Sequence, residues 1–441
     1  MIITRSLKAI AEAGDDSAKP SSLLDLAKSG MKLLTLALLA GGLAGLGGMM
    51  LALLLHWVQH LAYGYGLGGI IGPETFLQGV SDASPYRRLT VVALCGMVAG
   101  IGWAGLSRFG RPLVSINKAI AHEPALMPFS ETVLHGLLQI VTVALGSPLG
   151  REVAPREYGA LLTQRLCKGL DCTTDQLRIL TACGAGAGLA AVYDVPFAAT
   201  VFIMEVLLKR VGATVCLAAL LSCFVAARVA AFGLGTETQY SLPMTIAQNS
   251  LLVLASITGP LIGACGLLFK RWTDRCSSRA ASGFRQMIYS LIAFSSVGAL
   301  SMALPQLLGN GKGPAELAFS DDLTISLALI LIATKIVSIT IVLRAGARGG
   351  LLTPGFSLGS LLAIIVGYLW NLVLPVVDLS AVAVVRAAAF LSCSMAMPLT
   401  AILITIEFTG ASANLVPSVL LAVLTASGMR LAIDRRELRI V

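Results

Sequence analysis

An arginine and a glutamate lie side by side at Arg151 and Glu152, within the run Gly146-Ser147-Pro148-Leu149-Gly150-Arg151-Glu152-Val153-Ala154-Pro155. Apolar segments flank this run on both sides. Charge at membrane depth is costly and faces a protein interior or a water-filled path. The surrounding glycines and prolines predict a broken backbone rather than a smooth helix. A carboxyl group in such a break can take up a proton; ionised, it competes with a small anion for the same donors. Glu152 is therefore read as a gate in an ion pathway. The blander reading, an ion pair with Arg151, is disfavoured because sequence neighbours do not face each other on a helix. Two further acids, Glu205 and Glu407, follow Pro196 and Pro398 by nine residues each, through apolar runs. For both, the simpler role is to satisfy buried backbone N–H groups.

The elements that must position these groups are set by a membrane. Of 441 residues, 56% are hydrophobic and 12% are charged, and the mean hydropathy is +0.85. A soluble domain is about a quarter charged, so the chain reads as an all-α polytopic membrane protein. Its apolar stretches are long and do not alternate, which excludes a barrel. The 45 glycines suit close helix–helix approach in lipid. The net charge of +9 comes from short Lys/Arg clusters between apolar segments, a topology signal and not a nucleic-acid signature. The nine cysteines show no zinc or redox spacing and are read as packing residues. An intramembrane enzyme, the competing class, finds no HExxH pair or GxSxG elbow to support it. No metal or other cofactor is expected.

Residues 1–32 are expected to form a cytoplasmic segment with one short amphipathic helix. A first membrane repeat is assigned to 33–234, an external linker to 235–247, a second repeat to 248–434 and a cytoplasmic tail to 435–441. The first repeat holds spans at 33–61, 89–106 and 217–234, with short apolar segments near 131–146, 153–166, 177–193 and 196–208. The second holds segments near 251–269, 287–304, 322–343, 356–376, 382–396, 399–409 and 414–432. A crossing takes about 20 residues, so several segments are too short to span. The cluster Lys270, Arg271, Arg275, Arg279 and Arg285 is placed inside; the loop 235–241, with Glu237 and no Lys or Arg, is placed outside. Arg87 and Arg88 fit this topology poorly, because it sets them near the outer surface.

The two halves repeat one pattern. The pair Pro196…Glu205 recurs as Pro398…Glu407, and the break at Gly150 recurs as Arg348-Gly349-Gly350-Leu351-Leu352-Thr353-Pro354, each at an offset near 200 residues. One half begins inside and the other outside, so the repeats are expected to be inverted, with an ion site where interrupted helices meet. Half-helix N-termini carry unpaired N–H groups and partial positive charge. They attract an anion without a fixed cation.

At these residues the chain resembles the CLC family of chloride channels and chloride/proton antiporters. Gly150-Arg151-Glu152-Val153-Ala154-Pro155 is similar to the family's GREGP element. Gly184-Ala185-Gly186-Ala187-Gly188-Leu189-Ala190-Ala191, followed by Val195-Pro196 and Glu205, resembles its GAAAGLAAAFNAP…E segment. Leu308-Gly309-Asn310-Gly311-Lys312-Gly313-Pro314 resembles LGNGYGP, and Gly349-Gly350-Leu351-Leu352-Thr353-Pro354 resembles GGxFxP. Met397-Pro398-Leu399-Thr400-Ala401 with Glu407-Phe408-Thr409-Gly410 resembles the late APLTA…E-T-G helix. The resemblance runs from about residue 33 to the last span. It implies an inverted-repeat fold with tilted and broken helices, a homodimer with one anion pathway per subunit, and a multi-pass place in the bacterial inner (plasma) membrane. It further implies Glu152 as gate, with anion contacts at Val114, Ser115, Ile116, Gly150, Arg151, Gly350, Leu351 and Leu352.

The sequence also departs from the family. The GSGIP element falls on Leu113-Val114-Ser115-Ile116-Asn117, so its anion-binding serine becomes Val114 unless Ser115 replaces it. The GxFxP phenylalanine is Leu352. The inner tyrosine has no counterpart, since Tyr368 is the last tyrosine, and the inner proton-transfer glutamate is Val206. No regulatory domain is expected to follow Val441. Two lost hydroxyl donors remove about 0.5–1.5 kcal/mol each. The expected function is thus transport of chloride or a similar small anion, gated by Glu152 and passive or weakly proton-coupled. The alternative is a chloride/proton or fluoride/proton antiporter with a non-standard inner proton route, for which Glu205 is the nearest acid. Asp194 is read as a helix cap. Lys118 and Arg108 serve as inner-mouth steering charges or plain anchors, and His122 and His135 as surface or packing residues.

Overall fold

The computed structural model describes residues 23–66, 72, 74–243, 249–320 and 323–437. Most of the N-terminal segment read at 1–32, part of the linker at 235–247 and most of the tail at 435–441 lie outside the described residues. The first half contains α1 (Leu23–Tyr63), α2 (Phe76–Asp82), α3 (Pro85–Phe109), α4 (Ile116–Ala119), α5 (Phe129–Ala144), α6 (Val153–Cys167), α7 (Thr174–Tyr193), α8 (Pro196–Phe202) and α9 (Ala213–Leu234). The second contains α10 (Asn249–Ser278), α11 (Gly283–Ala303), α12 (Lys312–Phe319), α13 (Ile325–Arg344), α14 (Leu352–Asn371), α15 (Leu379–Ser394), α16 (Pro398–Thr409) and α17 (Val416–Glu437). Eight described helices are long and apolar enough to cross a membrane: α1, α3, α9, α10, α11, α13, α14 and α17.

The helices outrun the hydropathy. α1 starts at Leu23 rather than 33, and α10 carries Lys270, Arg271 and Arg275 of the basic cluster along its last turns to Ser278. Two short helices were not expected. α2 falls in what reads as a polar loop, yet Thr75 and Gln78 close a capping box at its start, with Thr75 N–H donating to Gln78 Oε1 at 2.8 Å. α12 follows the Gly311 turn that reads as loop.

Arg87 and Arg88, which fit the expected topology poorly, bind helix carbonyls. Arg87 donates to the Ala62 and Leu61 carbonyls at 2.7 and 3.0 Å, closing the C-terminus of α1. Arg88 donates to Val80 and Met302 carbonyls, both at 3.0 Å, tying α2 and the end of α11 together. Two buried cations in the second half act alike. Lys335 on α13 donates to the Leu307 carbonyl at 3.1 Å and to that of Gly309; Arg386 on α15 donates to the Leu254 carbonyl at 2.7 Å.

Packing pairs recur in order. α1 lies along α9, and α10 along α17; α6 packs on α7, and α14 on α15. Two further pairs join the halves: α3 with α11, and α8 with α16. α7 and α15 are buried over nearly their whole length. Small residues allow it. A Cβ at Gly184 would collide with the Gly159 carbonyl of α6, so glycine at that position lets the two backbones touch.

Candidate functional site

The two glycine breaks meet. Gly150 N–H donates to the Gly350 carbonyl at 2.7 Å and Gly350 N–H returns to that of Gly150 at 2.9 Å, an isolated antiparallel bridge. From this bridge α6 and α14 depart, and neither has a side-chain cap of its own. Their first N–H groups therefore need another acceptor. At α14 that acceptor is Glu152. Its fully buried carboxylate takes the Leu352 N–H at 2.8 Å and the Thr353 hydroxyl at 3.3 Å. The Tyr193 hydroxyl stands 3.4 Å from the same oxygen as Thr353 and 3.1 Å from Thr353 Oγ1. Both glycines are required for this seat, because a Cβ at either would strike the Glu152 carboxylate. A carboxyl group thus occupies the N-terminus of a largely buried helix, where the macrodipole favours negative charge.

Arg151 is not the partner of Glu152. Its guanidinium lies 5.1 Å from the centre of the Tyr193 ring and donates to Gln239 Oε1 at 3.3 Å. Its Nε is buried and without a hydrogen-bond partner among the described residues. A cavity of about 310 Å³ reaches Arg151, Tyr193 and Thr353, and its wall also includes Glu237, Lys312 and Glu316. The loop carrying Glu237 borders this cavity.

A family model described as voltage gated chloride channel matches residues 95–430. The chain belongs to the voltage-gated chloride channel (CLC) family. It is therefore a membrane protein of anion transport and not an enzyme. It is 27% identical over 374 residues to the Citrobacter koseri voltage-gated ClC-type chloride channel ClcB, covering 80% of this chain and 86% of that one. The same-named Salmonella typhimurium protein is 27% identical over 369 residues, covering 80% and 86%. A slow cyanobacterial Cl⁻/H⁺ antiporter shares the fold at a TM-score of 0.75 and 21% identity, over 91% of this chain and 95% of the other. A CLC-type fluoride/proton antiporter does so at 0.63 and 19% identity, over 92% and 96%.

The remaining CLC-like positions are distributed as follows. Glu205 leaves its own π turn, Ile203–Leu207, and caps α16: it accepts Leu399 N–H at 2.9 Å, Thr400 N–H at 2.8 Å and the Thr400 hydroxyl at 2.6 Å. Glu407 does the reciprocal job on α8, accepting Phe197 N–H at 3.0 Å and Ala198 N–H at 2.7 Å. These acids lock the halves to each other, and no hydrogen bond joins either to Glu152. Glu205→Ala is expected to lower stability by about 1–3 kcal/mol while leaving the pH profile of anion flux intact. Thermal melting and flux on the same preparation check this; a lost pH profile with unchanged melting would reverse the assignment.

Val114 and Ile116 pack against Met127, Ala160 and Leu161, and Ser115 is an exposed cap whose hydroxyl lies 3.4 Å from Lys118 N. None of the three is hydrogen-bonded to Glu152. Lys118 and Arg108 are exposed. Asp194 caps the C-terminus of α7 in the left-handed region (φ 50°) and pairs with Arg228 at 3.3 Å. His135 does have a partner, against expectation: Nδ1 is 2.9 Å from Glu157 Oε2, with Gln139 Nε2 3.1 Å from the same oxygen. The sequence reading missed Tyr193 and Thr353, which return two hydroxyls to the site. Their signal was weak: a tyrosine ending a helix of small residues reads as packing.

Proposed function

We propose that this protein moves chloride or a similar small inorganic anion along a pathway in which Glu152 and the anion compete for the N-terminus of α14. The supporting observation is the hydrogen bond from Leu352 N–H to a fully buried carboxylate 200 residues earlier in the chain. A group that binds there as a carboxylate can be displaced by another anion, or released by its own protonation. Gly150, Gly350, Leu351 and Leu352 form the anion seat. Arg151, with its unpartnered Nε in the outer approach, draws the anion in, and Val114, Ser115 and Ile116 edge the inner mouth. The halves 33–234 and 248–434 act as inverted repeats, and two copies pair in the bacterial inner membrane, each with its own pathway. Exposed Phe197 and Leu399, at the starts of α8 and α16, offer the pairing face.

Transport is passive or weakly proton-coupled, because Val206 replaces one inner acid and Glu205 is committed to α16. Reconstituted liposomes are expected to release chloride down its gradient with little proton movement. Uphill proton transport driven by chloride at a fixed ratio would overturn the passive reading.

The His135–Glu157 pair favours a second reading, coupled exchange. Glu157 lies five residues beyond Glu152 on the inward course of α6, and His135 Nε2 is buried without a hydrogen-bond partner among the described residues. An acid–imidazole pair at that depth is the titratable relay a proton route requires. If exchange is coupled, Glu157→Gln is expected to abolish proton movement and leave chloride flux; proton movement unchanged in that variant would remove the pair from the route.

A further inference from the structure

A second cavity, of about 560 Å³, opens where α10 ends, α11 begins and α13 ends. Among the described residues three arginines line it, Arg279, Arg285 and Arg344, all exposed, and no acidic residue does. None of the three guanidinium groups has an ion pair or a hydrogen bond among the described residues, unlike Lys270 and Arg430, which pair with Asp274 and Asp434. The cluster is fixed by its backbone. Ala281 N–H donates to the Arg344 carbonyl at 2.8 Å, Gln286 Nε2 to that of Gly346 at 2.9 Å, and Ser290 Oγ to that of Ala345 at 3.2 Å. These bonds hold the start of α11 against the end of α13, so the cations converge on one space.

The other wall is apolar. Arg285, Tyr289 and Ile292 share one face of α11 by their spacing. Tyr289 is 51% and Ile292 58% exposed on a helix long enough to cross the membrane, so this wall faces acyl chains. Ile341 of α13 completes it.

We propose that this cavity binds an anionic phospholipid, with its phosphate among Arg279, Arg285 and Arg344 and an acyl chain along Tyr289, Ile292 and Ile341. Basic pockets between helices at the cytoplasmic side are suited to such head groups. A free phosphate would satisfy the arginines and leave the apolar wall uncovered. A zwitterionic head group would bring an ammonium into an all-cationic space.

Native mass spectrometry of the full chain, with phosphatidylglycerol or phosphatidylcholine added at equal concentration, tests this. Wild type is expected to retain phosphatidylglycerol at least about tenfold better, given three cations at the site. Arg279→Gln/Arg285→Gln/Arg344→Gln should bring it down to the phosphatidylcholine level. Arg108→Gln/Lys168→Gln/Arg435→Gln, which removes the same charge elsewhere, should keep it. Equal retention of the two lipids by wild type would overturn the proposal without reference to any variant. So would full retention by the first triple variant, or displacement of phosphatidylglycerol by equimolar inorganic phosphate.

Discussion

Glu152→Gln is expected to raise chloride flux at neutral pH and to abolish its dependence on pH. In wild type, acid should speed transport, because a protonated Glu152 no longer carries the charge that holds it at α14. Glutamine keeps the shape and removes the charge at every pH. A hydrogen bond to a charged acceptor exceeds a neutral one by about 1–2 kcal/mol, which corresponds to a factor of about 5–30 in the released population. Liposome flux at about pH 4.5 and at about pH 7.5 reads both effects. Wild type and variant should converge at the acidic value and separate at the neutral one. Identical flux from the two proteins at both would remove Glu152 from the gate.

The second large effect is expected from Gly350→Ala. The added methyl collides with the Glu152 carboxylate in its seat. Either the side chain leaves or the Gly150–Gly350 bridge opens, and overpacking of this kind costs about 1–3 kcal/mol. The variant should lose pH dependence as Glu152→Gln does, with a lower melting temperature and weaker anion binding, because the methyl also narrows the seat. Glu152→Ala removes the colliding group. Melting of Glu152→Ala/Gly350→Ala should therefore recover most of the Gly350→Ala loss, a coupling that independent sites do not show. Strictly additive melting shifts would mean that Gly350 and Glu152 do not share the space.

The spans were legible because a lipid-facing helix must be apolar over a fixed length, and the breaks were legible because glycine and proline interrupt that run. The offset between Gly150 and Gly350 also pointed to their meeting. What stayed hidden depends on partners far away in sequence. That Glu205 caps α16 and Glu407 caps α8 follows from a crossing no local pattern encodes. Tyr193 and Thr353 reach Glu152 from two different helices. Arg87 and Arg88 fit the expected topology poorly, and both bind helix carbonyls, a role in the fold that is independent of the side of the membrane. Lys335 and Arg386 passed unread inside apolar runs for a similar reason: each binds backbone carbonyls. The capping box at Thr75 was readable and marks α2.

Competition between the Glu152 carboxylate and the transported anion is the central claim, and chloride binding measures it most directly. Isothermal titration of chloride into purified wild type and Glu152→Gln at neutral pH compares a seat that is filled with one that is freed. Apparent affinity falls with the fraction of competent sites. The account predicts chloride binding about tenfold tighter in Glu152→Gln, consistent with loss of the charge-assisted hydrogen bond. Equal or weaker binding in Glu152→Gln would contradict it.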